Sequence, residues 1–325
     1  MNKVLVNVQN ISKHYQAANS YPVKAVNQIS FEIREGETFG LVGESGSGKS
    51  TTGKLLLKLE DLTDGTIQFM GDDITSYQSR KEMLAYRKQI QMIFQDPYSS
   101  LNPRMTVKEI IGGPMQIHGL VKNRRERDEA VNNLLNQVGL NPSYANRYPR
   151  EFSGGQCQRI GIARALALQP KLIIADEAIS ALDVSIQAQI VNLLRKLKKE
   201  ENLTYLFITH DLSMVKYISD RIGVMNQGRL VEVAPAEEIY QYPLHPYTES
   251  LLSAIPEADP LIEKDRKRVG YKGVEYTETE WEAVQLFEIV PEHFVLCHPD
   301  EVEGYYQRYV EKHAKSKERE LVAMV

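Results

Sequence analysis

The stretch from Gly43 to Ser50 (GESGSGKS) matches the pattern G-x-x-x-x-G-K-[ST]. Glycines let successive backbone N–H groups point at phosphate oxygens, and a helix that begins near Lys49 adds the positive end of its dipole. Lys49 can reach the β- and γ-phosphates of a nucleotide, and the Ser50 hydroxyl can ligate Mg²⁺. The predicted phosphate-binding set is Gly43, Glu44, Ser45, Gly46, Ser47, Gly48, Lys49, Ser50 and Thr51.

An acidic pair, Asp176 and Glu177, follows the apolar run LIIA. A phosphate loop needs a metal-holding acid at the end of a nearby strand, and Asp176 can supply it. Glu177, one residue later, can orient and polarise an attacking water. The loop and the acidic pair together predict hydrolysis of a nucleoside triphosphate with Mg²⁺.

Short apolar runs of strand length position these groups. They occur at 38–42, 90–94, 171–175 and 204–208, with helical stretches at 49–59 and 184–200. Strand–helix–strand alternation of this kind predicts an α/β fold with a parallel sheet covered by helices. Alternating segments at 3–8 and 29–34 and a small pair at 285–296 predict additional strands.

The amino-acid composition argues against several other classes of protein. The 325 residues are 42% hydrophobic and 25% charged with a formal net charge of −4, so neither overall disorder nor nucleic-acid binding by bulk positive charge is expected. No apolar run approaches the ~20 residues of a membrane-spanning helix. Two cysteines, Cys157 and Cys297, are too few for a disulfide framework and favour reduced thiols in the cytoplasm.

Further motifs resemble those of the ATP-binding cassette (ABC) ATPases, and their order and spacing match that family. They are a signature-like segment (Phe152-Ser153-Gly154-Gly155-Gln156), a D-loop-like segment (Ser180-Ala181-Leu182-Asp183), a Q-loop glutamine (Gln95), a switch histidine (His210) and an aromatic for adenine (Tyr15). The resemblance implies a P-loop NTPase fold over residues 1–235, with a RecA-like parallel core sheet, an antiparallel β subdomain and a helical subdomain at about 97–168. Residues 236–325 would form a smaller C-terminal extension.

Two segments narrow the resemblance to the oligopeptide, dipeptide and nickel importer ATPases. They are QDPYSSLNPR at 95–104 and LHPYT at 244–248, followed by Leu251 and Leu252. The run EFSGGQCQRIGIARAL at 151–166 is closest to the "F" ATPase of peptide importers, which normally pairs with a distinct "D" ATPase. The resemblance therefore implies a motor subunit that couples ATP hydrolysis to uptake of oligopeptides or dipeptides.

The resemblance also implies roles for individual residues. Glu177, His210 and Gln95 would be catalytic, Mg²⁺ would be held by Ser50, Asp176 and Gln95, and Tyr15, or Tyr21 instead, would stack on adenine. In this family the signature completes the site of a partner chain, so Ser153, Gly154, Gly155, Gln156 and Asp183 would contact the nucleotide of a second ATPase. Residues 97–118 would dock on two membrane-spanning permease subunits at the cytoplasmic side of the membrane, and an extracytoplasmic binding protein would take part indirectly.

Two departures from the family pattern have consequences. Ala178 and Ile179 follow the acidic pair where relatives have Pro and then Thr or Val, which predicts a looser turn and at most slower turnover. Cys297 stands alone in the extension, so one chain cannot supply a four-cysteine iron–sulfur site. Ordinary packing or exposure, without a metal, is expected for His293, Cys297 and His298 because a fourth ligand is missing.

Three other functions remain open at this point. The first is an importer ATPase for nickel or another small solute in the same subfamily. The second is a soluble ABC ATPase outside transport, against which a single cassette without heptad repeats counts. The third is a regulatory module that does not hydrolyse ATP, against which the intact Lys49, Asp176, Glu177 and His210 count.

Overall fold

The computed structural model describes residues 3–16, 22–255, 268–274 and 276–323. In chain order the strands are β1 (Val4–Tyr15), β2 (Val23–Arg34), β3 (Thr38–Val42), β4 (Asp64–Phe69), β5 (Asp72–Asp73), β6 (Ile90–Ile93), β7 (Leu172–Asp176), β8 (Thr204–Thr209), β9 (Arg221–Asn226), β10 (Arg229–Pro235), β11 (Gln285–Val290) and β12 (His293–Cys297). The α-helices are α1 (Lys49–Leu56), α2 (Arg80–Gln89), α3 (Val107–Ile117), α4 (Arg124–Gln137), α5 (Gly154–Leu166), α6 (Val184–Glu201), α7 (Leu212–Ile218), α8 (Ala236–Gln241), α9 (Pro246–Ser253), α10 (Glu278–Trp281) and α11 (Val302–Ala323).

An eight-stranded sheet forms the centre, in the order β11-β12-β10-β9-β3-β8-β7-β6. The five strands from β9 to β6 are parallel, and four of them, β3, β8, β7 and β6, are the predicted apolar runs. Parallel strands need crossover connections, and helices on both faces make them. The loops after β3, β8, β7 and β6 therefore open at one edge of the sheet.

The central strands are buried on both faces, and β7 illustrates it. Leu172 and Ile174 face one core, whereas Ile173 and Ala175 face the other, because successive side chains of a strand alternate. The first core lies under the antiparallel sheet β2-β1-β4-β5. The second extends into the helical subdomain formed by α3, α4 and α5. The fold class predicted from the sequence, with its antiparallel and helical subdomains, is confirmed.

The C-terminal extension is joined to the cassette through the sheet itself. The predicted strand pair at 285–296 is a β11–β12 hairpin, and β12 pairs antiparallel with β10, Glu232 opposite Val295. Helix α11 packs on β11 around Leu244, Ile289 and Tyr305. The domain boundary proposed at residue 235 falls between β10 and α8, and the sheet continues across it.

Several elements differ from the sequence expectation. The alternating segments at 3–8 and 29–34 are parts of two 12-residue strands, β1 and β2. The helical subdomain expected at about 97–168 begins with two helices, α3 and α4, which a turn at 118–123 separates. No helix in the described part of the chain is long and apolar enough to cross a membrane.

Candidate nucleotide site

The loop from Gly43 to Ser50, called the phosphate loop below, lies between β3 and α1. Gly43 and Gly48 have φ values of 153° and 106°, and a Cβ atom on them would lie 2.1 Å from the Met225 carbonyl oxygen and 2.2 Å from that of Ala25. Only glycine fits at these two positions, since no side chain can displace a backbone carbonyl. Gly46 faces open space, which leaves its backbone accessible to a ligand.

Lys49 is hydrogen-bonded to the inner side of the phosphate loop. Its side chain is 4% exposed, and Nζ donates to the carbonyl oxygens of Gly43 and Glu44, both at 2.8 Å, and to Ser47 Oγ at 3.2 Å. Burial lowers the pKa of Lys49, and the nearby carboxylates of Glu177 and Asp176 act against this change. A desolvated ammonium in a glycine loop is a strong binding group for phosphate.

Ser50 and Asp176 face each other below the loop. Ser50 Oγ donates to Asp176 Oδ1 at 2.8 Å, although 126 residues separate them. Burial raises the pKa of Asp176, the Ser50 hydrogen bond lowers it and the charge of Glu177 raises it. A hydroxyl and a carboxylate oxygen are the hard donors that Mg²⁺ prefers, so these two residues fit that ion.

Glu177 contacts both of the other predicted catalytic residues. Its Oε2 accepts a hydrogen bond from Gln95 Nε2 at 2.7 Å, and its Oε1 lies 3.1 Å from His210 Nδ1. Its φ is 47°, in the left-handed region, and its backbone N–H donates to the Ile208 carbonyl on β8. Gln95, Glu177 and His210 follow β6, β7 and β8, so the shared edge of the parallel sheet brings them together. The structure thus assembles the predicted catalytic trio around one carboxylate.

Gln158 supports this arrangement, although the sequence does not predict such a role for it. The residue lies on α5 and is 1% exposed. Its Nε2 donates to the Ala178 carbonyl at 2.5 Å and to the Phe94 carbonyl at 3.4 Å, so it joins the turn after the acidic pair to the Q-loop. The one feature of the sequence that could have indicated this role is a glutamine on an otherwise apolar face of the helix. Ala178 and Ile179 are 1% and 2% exposed, so this turn is packed into the core.

Tyr15 lies beside the start of α1. Its hydroxyl bonds to Glu60 and contacts the Thr51 side chain, and Lys13 Nζ is 5.2 Å from the ring centroid. The ring is 38% exposed and stands next to the helix that begins in the phosphate loop, a position that suits adenine stacking. Tyr21 lies outside the described residues.

The signature segment begins helix α5. Ser153 is the N-cap residue, with its Oγ accepting from Gln156 N–H at 3.4 Å and Gln156 Oε1 accepting from Ser153 N–H at 3.0 Å. A Cβ atom on Gly155 would lie 2.6 Å from Ile186 Cγ2, whereas one on Gly154 would meet Leu182 at an ordinary 3.5 Å. Gly155 therefore lets α5 and α6 approach closely.

Asp183 ends the D-loop-like segment in an exposed position and is the N-cap residue of α6. The next residue, Val184, is 78% exposed. Within the described ranges, no hydrogen bond joins the signature or Asp183 to the phosphate loop. The structure therefore groups the predicted nucleotide residues into two sets, one around Lys49 and Glu177 and another around Ser153 and Asp183.

The remaining candidates are packing residues. Burial raises the pKa of Cys157 to about 11 and that of Cys297 to about 12, so both are inert thiols. No group of histidine, cysteine and carboxylate side chains able to hold a metal ion occurs in the part of the chain that the structure describes. His293 instead pairs with the fully buried Glu232, Nε2 to Oε1, at 2.7 Å.

Comparisons with known proteins agree with this geometry. The family model "ABC transporter" matches residues 26–180, and "Oligopeptide/dipeptide transporter, C-terminal region" matches residues 231–279. The dimeric, post-hydrolysis state of an ATP-binding cassette bound to ADP and Pi superposes with a TM-score of 0.65 at 29% identity. The match covers 71% of this chain and 99% of that one.

Two curated relatives match over almost their whole length. The oligopeptide transport ATP-binding protein OppF of Bacillus subtilis is 55% identical over 305 residues, which cover 94% of this chain and 100% of the relative. The dipeptide transport ATP-binding protein DppF of Lactococcus lactis is 53% identical over 305 residues, which cover 93% and 97%. The chain therefore belongs to the ABC transporter ATPases, in the family of the oligopeptide and dipeptide transport ATP-binding proteins.

Proposed function

We propose that this ATPase is the motor subunit of an importer of oligopeptides or dipeptides. The observation that carries the proposal is the Glu177 carboxylate, held between Gln95 and His210 beside Asp176, in a chain that matches peptide-transport relatives over 93–94% of its length. The names of both relatives and the family model over residues 231–279 support peptides as the solute. Nothing in the described structure favours nickel.

Glu177 acts as the group that orients and polarises the attacking water. Gln95 and His210 hold its two carboxylate oxygens, so the carboxylate has one orientation before the nucleotide arrives. The His210 side chain is 53% exposed and is therefore also accessible to a bound nucleotide. All three groups follow strands of one sheet, so the fold itself sets their positions relative to one another.

The phosphate loop and Lys49 bind the nucleotide phosphates, and the buried ammonium offsets their charge. Ser50 and Asp176 would hold Mg²⁺, with Gln95 as a further ligand when its amide oxygen turns toward the ion. When bound, Mg²⁺ neutralises charge on the phosphate oxygens. Tyr15 stacks on the adenine, and Thr51 contributes its backbone N–H.

The second set of nucleotide residues serves a partner ATPase. Ser153, Gly154, Gly155 and Gln156 present a hydroxyl and N–H groups at a helix N-terminus, which is an anion site, and Asp183 stands next to them on an exposed loop. Each chain then supplies half of two sites, so ATP holds the two subunits together and hydrolysis releases them. We infer that the partner is a distinct D-type homologue.

Permease docking involves the segment at 97–118. Tyr98 and Ile117 are 50% and 71% exposed, whereas Leu101 is buried and belongs to the helical subdomain core. Tyr98 Oη also donates to the Phe152 carbonyl at 3.2 Å, so the segment is linked to the signature. A membrane subunit that pushes on Tyr98 would move the signature relative to the partner's nucleotide. The chain would thus work at the cytoplasmic face of the membrane.

Uptake of labelled peptides tests the proposal. Cells that lack this chain should lose peptide accumulation, the wild-type gene should restore it, and Glu177→Gln should not. Lys196→Gln, in an exposed ion pair on α6 with Glu200, is a matched control and should restore uptake fully. Normal peptide accumulation in the deletion strain, or loss of nickel accumulation instead, would contradict the assignment to peptides. Co-purification of the wild-type complex should reveal a D-type ATPase and two permease subunits.

A further inference from the structure

The C-terminal extension touches the phosphate loop directly. Tyr247, near the start of α9, accepts a hydrogen bond on its hydroxyl from the backbone N–H of Glu44 at 3.2 Å, across 203 residues of sequence. The Tyr247 side chain is 3% exposed and packs edge-on against Tyr271, with ring centroids 5.3 Å apart. A buried ring with a fixed hydroxyl therefore lies against the second residue of the loop.

The same residue of the loop is held from its other side by Lys49. The Glu44 carbonyl accepts from Lys49 Nζ at 2.8 Å, while its N–H donates to Tyr247. Tyr247 is thus linked to the phosphate-binding ammonium through one residue. Any displacement of Glu44 would change where Lys49 and the next N–H groups of the loop point.

The position of Tyr247 is itself fixed by a buried carboxylate. Glu232, on β10, is 0% exposed and accepts from the N–H groups of Leu244 at 2.7 Å and His245 at 3.0 Å. It also pairs with His293 on β12 at 2.7 Å. Burying a carboxylate is costly unless it is fully hydrogen-bonded, so these donors hold the start of α9 in one place. His245 Nδ1 then accepts from the Tyr247 N–H at 3.1 Å.

We propose that Tyr247 is a positioning residue of the ATP site, through which the extension braces the phosphate loop. Glu232 anchors the start of α9, α9 places the Tyr247 hydroxyl, and the hydroxyl holds Glu44 in the conformation that binds nucleotide phosphates. The extension is then a structural part of the nucleotide site. This role concerns ATP binding alone and holds whichever solute the importer carries.

Tyr247→Phe in the full chain tests the role, because it removes the hydroxyl and keeps the ring. One hydrogen bond contributes enough to weaken ADP binding by roughly two- to tenfold, measured by titration calorimetry with MgADP. In ATP hydrolysis by the assembled complex, KM should rise by a similar factor while kcat stays within about twofold. Tyr242→Phe is the matched control, since Tyr242 is a buried tyrosine of the same extension that packs on Tyr309 and His313.

Residue-level hydrogen exchange separates bracing from a general loss of stability. The Glu44 amide should exchange faster in Tyr247→Phe than in the wild type, and Tyr242→Phe should leave it unchanged. Unaltered MgADP affinity in Tyr247→Phe would overturn the proposal, as would equal weakening in Tyr242→Phe. Weaker binding with unchanged exchange at Glu44 would overturn it too, because the effect would then bypass the loop.

Discussion

His245 should make the extension sensitive to acid. The side chain is 3% exposed and caps α9, where Nδ1 accepts the Tyr247 N–H, a role that only an unprotonated nitrogen can fill. Burial lowers the pKa of His245 from its ordinary 6.5 to about 4, with the Glu232 charge acting in the opposite direction and Arg308 adding to the decrease.

Proton linkage gives the direction in which the free energy of unfolding changes with pH. Above pH 6.5 the histidine is neutral in both the folded and the unfolded chain, and its titration costs nothing. Between pH 6.5 and 4 only the unfolded chain takes up the proton, so the free energy of unfolding falls as the pH falls. This pKa difference corresponds to a loss of about 3 kcal/mol in the free energy of unfolding below pH 4, of which about 2 kcal/mol is already lost at pH 5.

His245→Asn isolates this effect, because asparagine is a good N-cap acceptor and does not titrate. Urea unfolding at pH 7 and pH 5 can be followed through Trp281, the single tryptophan of the chain. The indole lies in the extension, with the Tyr276 ring centroid 5.0 Å away and the Arg229 guanidinium 4.2 Å above it. The wild type should lose about 2 kcal/mol more stability than the variant between the two pH values.

A second histidine provides the control. His298 also caps a turn of the extension, and its side chain is 25% exposed. His298→Asn therefore shows the effect of removing a capping histidine that is not fully buried. If His245→Asn and the wild type lost equal stability between pH 7 and pH 5, burial of a neutral His245 would not be the cause of the acid sensitivity.

Three further predictions concern the site. Glu177→Gln should lower kcat at least about 100-fold while MgADP affinity stays within about twofold, measured by phosphate release and calorimetry; a kcat near wild type would remove Glu177 as the water-orienting group. Gly155→Ala should lower the free energy of unfolding by about 1–3 kcal/mol because the added methyl group overlaps Ile186. Gly154→Ala is the control and should not lower it, since its methyl group makes ordinary contacts. Equal stability of the two variants would refute this steric argument. Gln158→Ala should cost about 1–3 kcal/mol in thermal unfolding because a buried carbonyl loses its donor, and an unchanged melting temperature would contradict that.

Local motifs could be predicted from the sequence because their chemistry depends on residue type and spacing. The glycines of the phosphate loop, Lys49 and the acidic pair each need particular neighbours in sequence, so a short window identifies them. The apolar runs at 38–42, 171–175 and 204–208 likewise predicted buried parallel strands, since a strand covered on both faces must be continuously apolar.

Long-range contacts were not predictable in the same way. Gln158 donates to carbonyls that lie 20 and 64 residues away, and Tyr247 meets Glu44 across 203 residues. Nothing in the local pattern around these residues specifies their partners, because the partners are backbone groups that every residue possesses. The β9 and β10 strands were missed for a related reason, since their pairing depends on the neighbours they meet in the sheet.

The sequence by itself determined which groups are candidates for the chemistry: a phosphate loop, a proposed metal-binding acid, a proposed water-orienting acid and a signature segment, in the order of the ABC ATPases. Only the tertiary structure decided which of them meet. The carboxyl ends of parallel strands share one edge, which places Gln95 and His210 on Glu177 and leaves the signature apart from the loop. The same sheet continues into the extension because β12 pairs with the free edge of β10. Glu232 on β10 holds the start of α9, which brings Tyr247 against the phosphate loop.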